Sequence, residues 1–541
     1  MRAMAPATAA RPTATSQGSR PRIAYTVAGM EPENDRTPRN ASHVPRPPRL
    51  GGTATLLVTV ALFSTFMNND SSIAQIAAIL REEADRLGPG ARLPSSREIM
   101  RRHNVSPVTV SRAIGQLAAE GRVVSRPGSG AFVARRAGGA AQDAPDLSWQ
   151  TVALGDRVVD EGPVSALLGA APEGVVPLTG GYLRPGLRPD KQLAAAAARA
   201  VRRPDAWAMP PLTGLRELRR WFATQAGSDV TEADALIVSG GQAALTHAFR
   251  ALAAPGTPIL VETPTYPGAL SAAKAAGLRA TAVPMDREGV RPDLLAEAFA
   301  VTGARVFFCQ PTLHNPTGAT LPPERRRQVL EVARAAGAFV VEDDFARYLT
   351  AQPPPSLASM DRHGTVVHIV SLTKILSPSM RVAAVIARGP AAHRLRASQL
   401  VESFFVARPL QETALEFVGS PAWRRHLAAV HAEIATRRDA LAAALAELLP
   451  EAEPHLLPAG GMHLWVRLPA SVDETALTEA ARRTGVLISP GRLYYAAEPP
   501  GPRIRVTHMA AAHLTELREG VRRLAEAMAA VTGRGDGRAH T

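Results

Sequence analysis

Between Ser71 and Gly88, apolar residues recur at helical spacing (Ile73, Ile76, Ala77, Leu80, Leu87), and Gly88 ends the run. In the next stretch, PGARLPSSREIMRRHNVS, Ser95 and Glu98 have capping-box spacing and predict a short second helix. A turn at His103-Asn104-Val105 leads to Ser106, a good N-cap, with Pro107 at the first helical position. In the third helix, PVTVSRAIGQLAAEG, the period buries Val110, Ile114 and Leu117 and predicts Thr109, Ser111, Arg112 and Gln116 on the other face. The run RVVSRPGSGAFVARR then reads as two short strands around the turn Arg126-Pro127-Gly128-Ser129-Gly130. Helix, helix–turn–helix and hairpin make a winged helix-turn-helix. Its third helix suits a major groove, where Ser, Thr, Gln and Arg read base edges. Its wing would present Arg126 and backbone amides to phosphate. The alternative is a helical interaction domain with solvated arginines.

From about residue 176 the pattern changes to alternating strand-like and helical runs, which predicts an α/β sheet with crossover helices. Between the two regions, about 137–175 has no clear period and reads as a linker of low order. Residues 1–66, rich in Ala, Pro, Thr, Ser and Arg, are expected to be a disordered basic extension. Met67 directly precedes the first clear helix, so a start there is the other reading of that extension.

Composition narrows this picture. A chain of 541 residues exceeds one ordinary core, so two or more domains are expected. The net charge is +14, and 71–136 alone holds eleven Arg against five acidic residues, which favours an anionic partner such as nucleic acid. One cysteine, Cys309 in the apolar run VFFCQ, excludes an internal disulfide and a cysteine metal cluster; it is expected to be buried and inert, and no metal site is predicted. The longest apolar stretch, roughly 54–67, is short for a membrane span, and the expectation is a cytoplasmic protein.

Lysine is scarce. Lys and Arg total 62, yet there are only three lysines, Lys191, Lys274 and Lys374. Arginine cannot form an imine with an aldehyde, whereas a lysine amine can. Lys374 follows an apolar run in HIVSLTKILSPSMRVAAV, with Ser371 and Thr373 before it and Arg381 after it. Four other strand ends carry polar residues. Gly240 and Gly241 turn the chain into a helix that starts near Gln242, suited to a phosphate. Tyr266, between Pro264 and Pro267, has a face that could stack on a planar ring. Asn315 precedes a Pro-Thr-Gly turn. Glu342-Asp343-Asp344 could supply a carboxylate that keeps a pyridinium protonated. Each has a plainer reading alone: a common strand–helix turn, a packed loop tyrosine, turn chemistry, an acidic cap, a surface lysine.

Two resemblances join these pieces. PGARLPSSREI, VSPVTVSRAIGQLAAEG and RPGSGAFV resemble the DNA-binding domain of the GntR family, which implies that Arg97, Thr109, Arg112 and the Gly128–Gly130 wing lie against double-stranded DNA. The order of phosphate turn, tyrosine, Asn-Pro-Thr-Gly, aspartate and Ser-x-Thr-Lys with a downstream Arg, over about 176–530, resembles fold type I, class I/II aminotransferases that use pyridoxal 5'-phosphate (PLP). That resemblance implies Lys374 as the Schiff-base lysine, Asp343 at the pyridine nitrogen, Tyr266 on the ring and Asn315 at its phenolic oxygen. It also implies Gly241, Gln242, Ser371, Thr373 and Arg381 around the phosphate. In GPRIRVTHM, Arg505 matches the carboxylate-binding arginine, with Arg503 as competitor.

The combination resembles the MocR subfamily of transcriptional regulators. It implies a winged helix at 67–136, a linker, a PLP domain at 176–530 and a flexible tail at 531–541. It further implies a small amine or amino-acid effector and a head-to-tail homodimer. One departure stands out. The family usually places a tyrosine two or three residues after the aspartate, and this chain has Phe345 and Ala346 there. That favours a sensor; a working aminotransferase carrying a DNA reader is the alternative.

Overall fold

The computed structural model describes residues 72–126, 130–134, 147–154, 161–169 and 171–533. The expectations for 1–66, for Gly128 and for the tail beyond 533 lie outside the described residues. The chain divides into two compact units, Met1–Ala153 and Leu154–Thr541.

The first unit begins with a helix over 72–87. The second helix, Ser96–His103, is capped as its sequence predicts: Ser95 Oγ accepts from the Glu98 amide at 3.3 Å. Asn104, at φ 50°, takes the left-handed conformation that closes it. The third helix, Pro107–Ala119, opens on Ser106, whose Oγ accepts from the Thr109 amide at 3.1 Å. Strands Val123–Arg126 and Gly130–Val133 form an antiparallel hairpin. Ile76, Leu80, Ile99, Val110, Leu117 and Val123 meet in one core, and Ile114 packs at its margin. This is a winged helix-turn-helix.

In the second unit, an eight-stranded sheet runs in the order Ala235–Val238, Ala383–Ile386, Val366–Ser371, Phe339–Asp343, Val306–Cys309, Pro258–Thr263, Arg279–Asp286, Gly289–Val290. The five consecutive strands from Val366–Ser371 to Arg279–Asp286 are parallel. Ala383–Ile386 is antiparallel to both of its neighbours. Helices cover the sheet, so central strands such as Val366–Ser371 are buried along their whole length and read as continuous apolar runs. A smaller α+β part pairs His463–Arg467 with Arg503–Thr507 and packs them under helices Glu474–Arg483 and Leu514–Thr532. Cys309 is fully buried, and burial pushes its thiol well up, as an inert core residue requires. No helix among the described residues is long and apolar enough to cross a membrane.

The region expected to be a linker of low order differs in two places. Ser148–Leu154 is helical, and so is Gly162–Leu168, whose Leu167 is buried against Trp465 and Tyr494. Seven residues are too few to display a clear helical period, so this packing has no local signature.

Leu117→Ala removes a fully buried side chain from the small first core. It is expected to cost about 2–5 kcal/mol. Urea unfolding followed through the first unit's helices should show the lower midpoint.

Candidate functional site

Sheet polarity brings the candidate residues together. Strands Ala235–Val238, Pro258–Thr263, Val306–Cys309, Phe339–Asp343 and Val366–Ser371 all end on one edge. Gly241, Tyr266, Asn315, Asp343 and Lys374 follow or close those five strands, and all line one cavity with Gln242, Ser371, Thr373, Arg381 and Arg505. The crevice beyond the carboxyl ends of parallel strands is where open α/β sheets bind ligands. Arg381 joins from the opposite direction, because it precedes the antiparallel strand Ala383–Ile386.

The helix Gly241–Leu252 starts at this edge with no side-chain cap, leaving its first amides open to a ligand. Gly240 turns the chain into it at φ +87°, and a Cβ there would fall 2.5 Å from Arg381 Nη2. Glycine is required both by the backbone and by the arginine. Arg381 Nη2 donates to the Ser239 carbonyl at 3.0 Å. Ser371 Oγ donates to Thr373 Oγ1 at 3.1 Å, and Thr373 Oγ1 to the Met380 carbonyl at 2.9 Å, so the Ser-Leu-Thr turn is tied to the segment that carries Arg381, and both hydroxyls line the same cavity. Open amides, hydroxyls and a guanidinium form a cup for an anion. The Tyr266 hydroxyl donates to Gln242 Oε1 at 3.2 Å, and Gln242 Nε2 donates to the Gly268 carbonyl at 2.8 Å. This fixes the tyrosine ring over the cavity.

Strand alternation chooses among three adjacent acids. Asp343 faces the cavity and accepts from Gln310 Nε2 at 2.7 Å. Glu342 and Asp344 point away. Glu342 accepts from the Leu357 and Ala358 amides and lies 2.8 Å from His368 Nδ1, and Asp344 accepts from Arg347. Burial raises Asp343 to about 6, opposed by the Gln310 hydrogen bond. Burial lowers Lys374 to about 7. Arg505 and Arg381 push in the same direction, and Asp343 opposes them. An amine at that value is about half in its neutral, nucleophilic form at pH 7, where an ordinary lysine is almost wholly protonated.

Arg505 is buried, while Arg503 lies outside the cavity wall and donates its amide to Glu474. Arg505 Nη1 donates to Asn315 Oδ1 at 3.0 Å and Nη2 to the Gly180 carbonyl at 2.9 Å, while Nε is buried without a partner. Phe345 lines the cavity where the family's tyrosine is expected, and Ala346 is in the core. Tyr348 packs instead against Trp221 and Trp423, with ring centroids 5.9 and 5.3 Å away. It does not line the cavity.

Sequence reasoning missed four features of the cavity. Tyr182 places its ring centroid 4.0 Å from Lys374 Nζ. Gln310 orients Asp343. His463 lies 3.5 Å from Arg505 Nη1, and burial holds it well below the usual histidine range. Helix Gly162–Leu168 contributes Val164, Leu167 and Leu168. A second Gly-Gly pair, Gly180-Gly181, precedes Tyr182 and was the one available signal.

In the first unit, Arg97, Ser111, Arg112 and Gln116 are exposed. Gln116 Nε2 donates to Glu120 at 3.2 Å. Thr109 corrects the prediction. It is buried at 3% exposure, its hydroxyl 2.9 Å from Ser106 Oγ, so Ser106 and Thr109 cap the helix together and Thr109 presents no base-reading face. Val108, beside it, is 57% exposed. Arg81 and Arg122 are paired with Glu120 and Asp85, whereas Arg92, Arg97 and Arg112 have no ion pair among the described residues. The Arg92 guanidinium flanks Gly130, where φ is +102° and a Cβ would fall 3.3 Å from Nε. The side chain of Arg126 lies outside the described residues, as does Gly128.

The comparisons with known proteins follow the same division. Residues 179–524 match the aminotransferase class I and II family, and residues 73–133 match the gntR family of bacterial regulatory proteins. The HTH-type transcriptional regulator TauR of Rhodobacter capsulatus is 27% identical, over 82% of this chain and 93% of that relative. The 2-aminoadipate transaminase of Thermus thermophilus is 30% identical, over 66% of this chain and 90% of the relative. Among solved structures, the alpha-aminoadipate aminotransferase LysN of Thermus thermophilus, complexed with N-(5'-phosphopyridoxyl)-L-leucine, aligns with a TM-score of 0.66 at 28% identity, covering 72% of this chain and all of that one. The chain therefore belongs to the class I and II aminotransferase family and, with a GntR reader ahead of that domain, has the make-up of the MocR-type transcriptional regulators.

Proposed function

We propose that this regulator is PLP-dependent: its second domain carries PLP on Lys374 and senses an amine, an amino acid or PLP itself, and its first domain binds a double-stranded DNA operator. The observation that carries this reading is the convergence of Lys374, Asp343, an uncapped helix end and a buried arginine on one cavity. The residues fit the cofactor. The open amides of Gly241 and Gln242, the hydroxyls of Ser371 and Thr373, and Arg381 would hold its phosphate. Tyr266 would stack on its ring, and Asn315 would meet the ring oxygen. Arg505, with an unpartnered Nε, would take the carboxylate of an amino acid.

When bound, the cofactor supplies an aldehyde for amines and an electron-withdrawing ring. The Asp343 carboxylate would hold a proton on the ring nitrogen. Lys374 Nζ would attach the aldehyde and take up or release a proton as an incoming amine replaces it. The Gln242–Tyr266 pair would keep the ring in register, and the helix Gly162–Leu168 would exclude water. Binding can shift DNA affinity only if the ligand prefers one of two protein states. A head-to-tail homodimer would give such states an interface, and the effector would act from within each site.

A working aminotransferase is the second reading, favoured by the transaminase relatives and by the complete set of anion-holding residues. Phe345 weighs against it, because it has no hydroxyl to tune the cofactor's ring oxygen.

Three outcomes follow. Full-length protein loaded with PLP is expected to be yellow, and Lys374→Ala should lose the colour; a colourless wild type sinks the cofactor reading. Attachment of PLP to the empty protein should accelerate as pH rises through about 7, where Lys374 becomes neutral, rather than near its ordinary value of 10.5. Stopped-flow absorbance across pH measures this. Arg112→Ala should weaken operator binding by about 1–3 kcal/mol and non-specific DNA binding by less. Equal losses on both DNAs would count against base readout by the third helix.

A further inference from the structure

The cavity also carries information about its ligand's side chain. We infer, building on the PLP reading above, that the effector is an α-amino acid with a single carboxylate and an apolar side chain, seated against Val164, Leu168 and Tyr182.

The charge inventory comes first. The cationic side chains lining the cavity are Lys374, Arg381 and Arg505, with His463 held neutral by burial and by Arg505. Lys374 is assigned to the aldehyde. Arg381 lies at the anion cup, 3.0 Å from the Ser239 carbonyl. Arg505 is the remaining cation, and its two bonds to Asn315 and Gly180 leave room for one carboxylate. A second carboxylate on the ligand would meet no further cationic partner among the lining residues and would lose part of its hydration against the apolar wall, which is unfavourable. The same holds for a second ammonium. Asp343 is the acid that lines the cavity, and Gln310 already binds it. Acidic amino acids, basic amino acids and diamines are each left with an unmatched charge.

The wall itself is apolar. Leu167 anchors helix Gly162–Leu168 by burying itself with Trp465 and Tyr494. That anchoring turns Val164 and Leu168 toward the cavity, and Leu168 remains 58% exposed although it lines it. An exposed leucine on a cavity wall, beside the Tyr182 ring and Phe345, gains from covering by an apolar group. One methylene in such a pocket changes affinity on the order of 10–200-fold, so discrimination among apolar side chains is within reach.

The test uses the full chain loaded with PLP. Its visible spectrum is titrated with leucine, phenylalanine, glutamate, 2-aminoadipate and lysine, and the melting midpoint at matched concentrations gives a second readout. The expected result is an apparent Kd for leucine or phenylalanine at least tenfold below those for glutamate, 2-aminoadipate and lysine. In Leu168→Arg, the leucine-to-glutamate affinity ratio should move at least tenfold toward glutamate. Glutamate, 2-aminoadipate or lysine binding as tightly as leucine would overturn the inference, because a charge partner would then have to come from elsewhere, including a second copy of the chain. An unchanged ratio in Leu168→Arg would overturn it as well. A wild type that takes up no PLP at all defeats the cofactor reading and this inference with it, and the missing colour distinguishes that failure from a wrong ligand class.

Discussion

The charge balance around Lys374 governs the second domain. Burial and two guanidiniums, Arg505 and Arg381, drive the amine toward its neutral form, while Asp343 alone pulls the other way. Like charges at close range in a poorly solvated site repel strongly, so this cluster persists only because the fold holds it from several directions. Each arginine is tethered through backbone carbonyls, Arg381 to Ser239 and Arg505 to Gly180, rather than neutralised by acids. The result is a cavity with two uncompensated cations and a free amine. Such a site is complementary to a molecule with two separate anionic groups and an electrophile between them.

That cluster depends in turn on the polarity of the sheet. Its members are spread over more than 260 residues of sequence, from Gly241 to Arg505. Parallel strands return every carboxyl end to one edge, so five strand ends converge without any long loop. The reversed strand Ala383–Ile386 exposes its amino end at that same edge and delivers Arg381 there. The Gly240 turn shows how tightly the parts fit: the helix end and the arginine approach so closely that no side chain fits between them.

The strand ends were legible because each carries a local signature: an apolar run followed by a glycine pair, a proline-flanked tyrosine, an Asn-Pro-Thr-Gly turn or an acid triplet. The winged helix was legible for the same reason, through Ser95, Ser106 and the Gly-rich wing. Residues that act through tertiary placement were not. Tyr182 follows a two-residue strand, Val176–Pro177, too short to register as one. Gln310 and His463 lie in buried runs where a polar residue has many structural uses. Thr109 failed differently. At the third helical position a threonine either faces outward or closes the cap, and Ser106 decided it by hydrogen bonding to both the Thr109 amide and its hydroxyl.

Phe345 is the cavity residue on which the proposed distinction between sensing and turnover turns. A phenol beside the ring oxygen would tune the proton affinity of the cofactor's bond to lysine, and that tuning matters most when the bond must be broken and remade many times. A sensor needs only to bind, exchange its partner amine and change the preference between two protein states. The neighbouring tyrosine does not make up the loss, because Tyr348 is committed to the Trp221 and Trp423 cluster. Tyr182 brings an aromatic face, 4.0 Å from the amine, on a loop that Arg505 holds through Gly180. Val176–Pro177 and helix Gly162–Leu168 lie immediately upstream, on the stretch of chain that leads back to the DNA reader. Phe345, the departure from the aminotransferase pattern, and the upstream wall of Val164, Leu168 and Tyr182 thus line one cavity from distant parts of the chain.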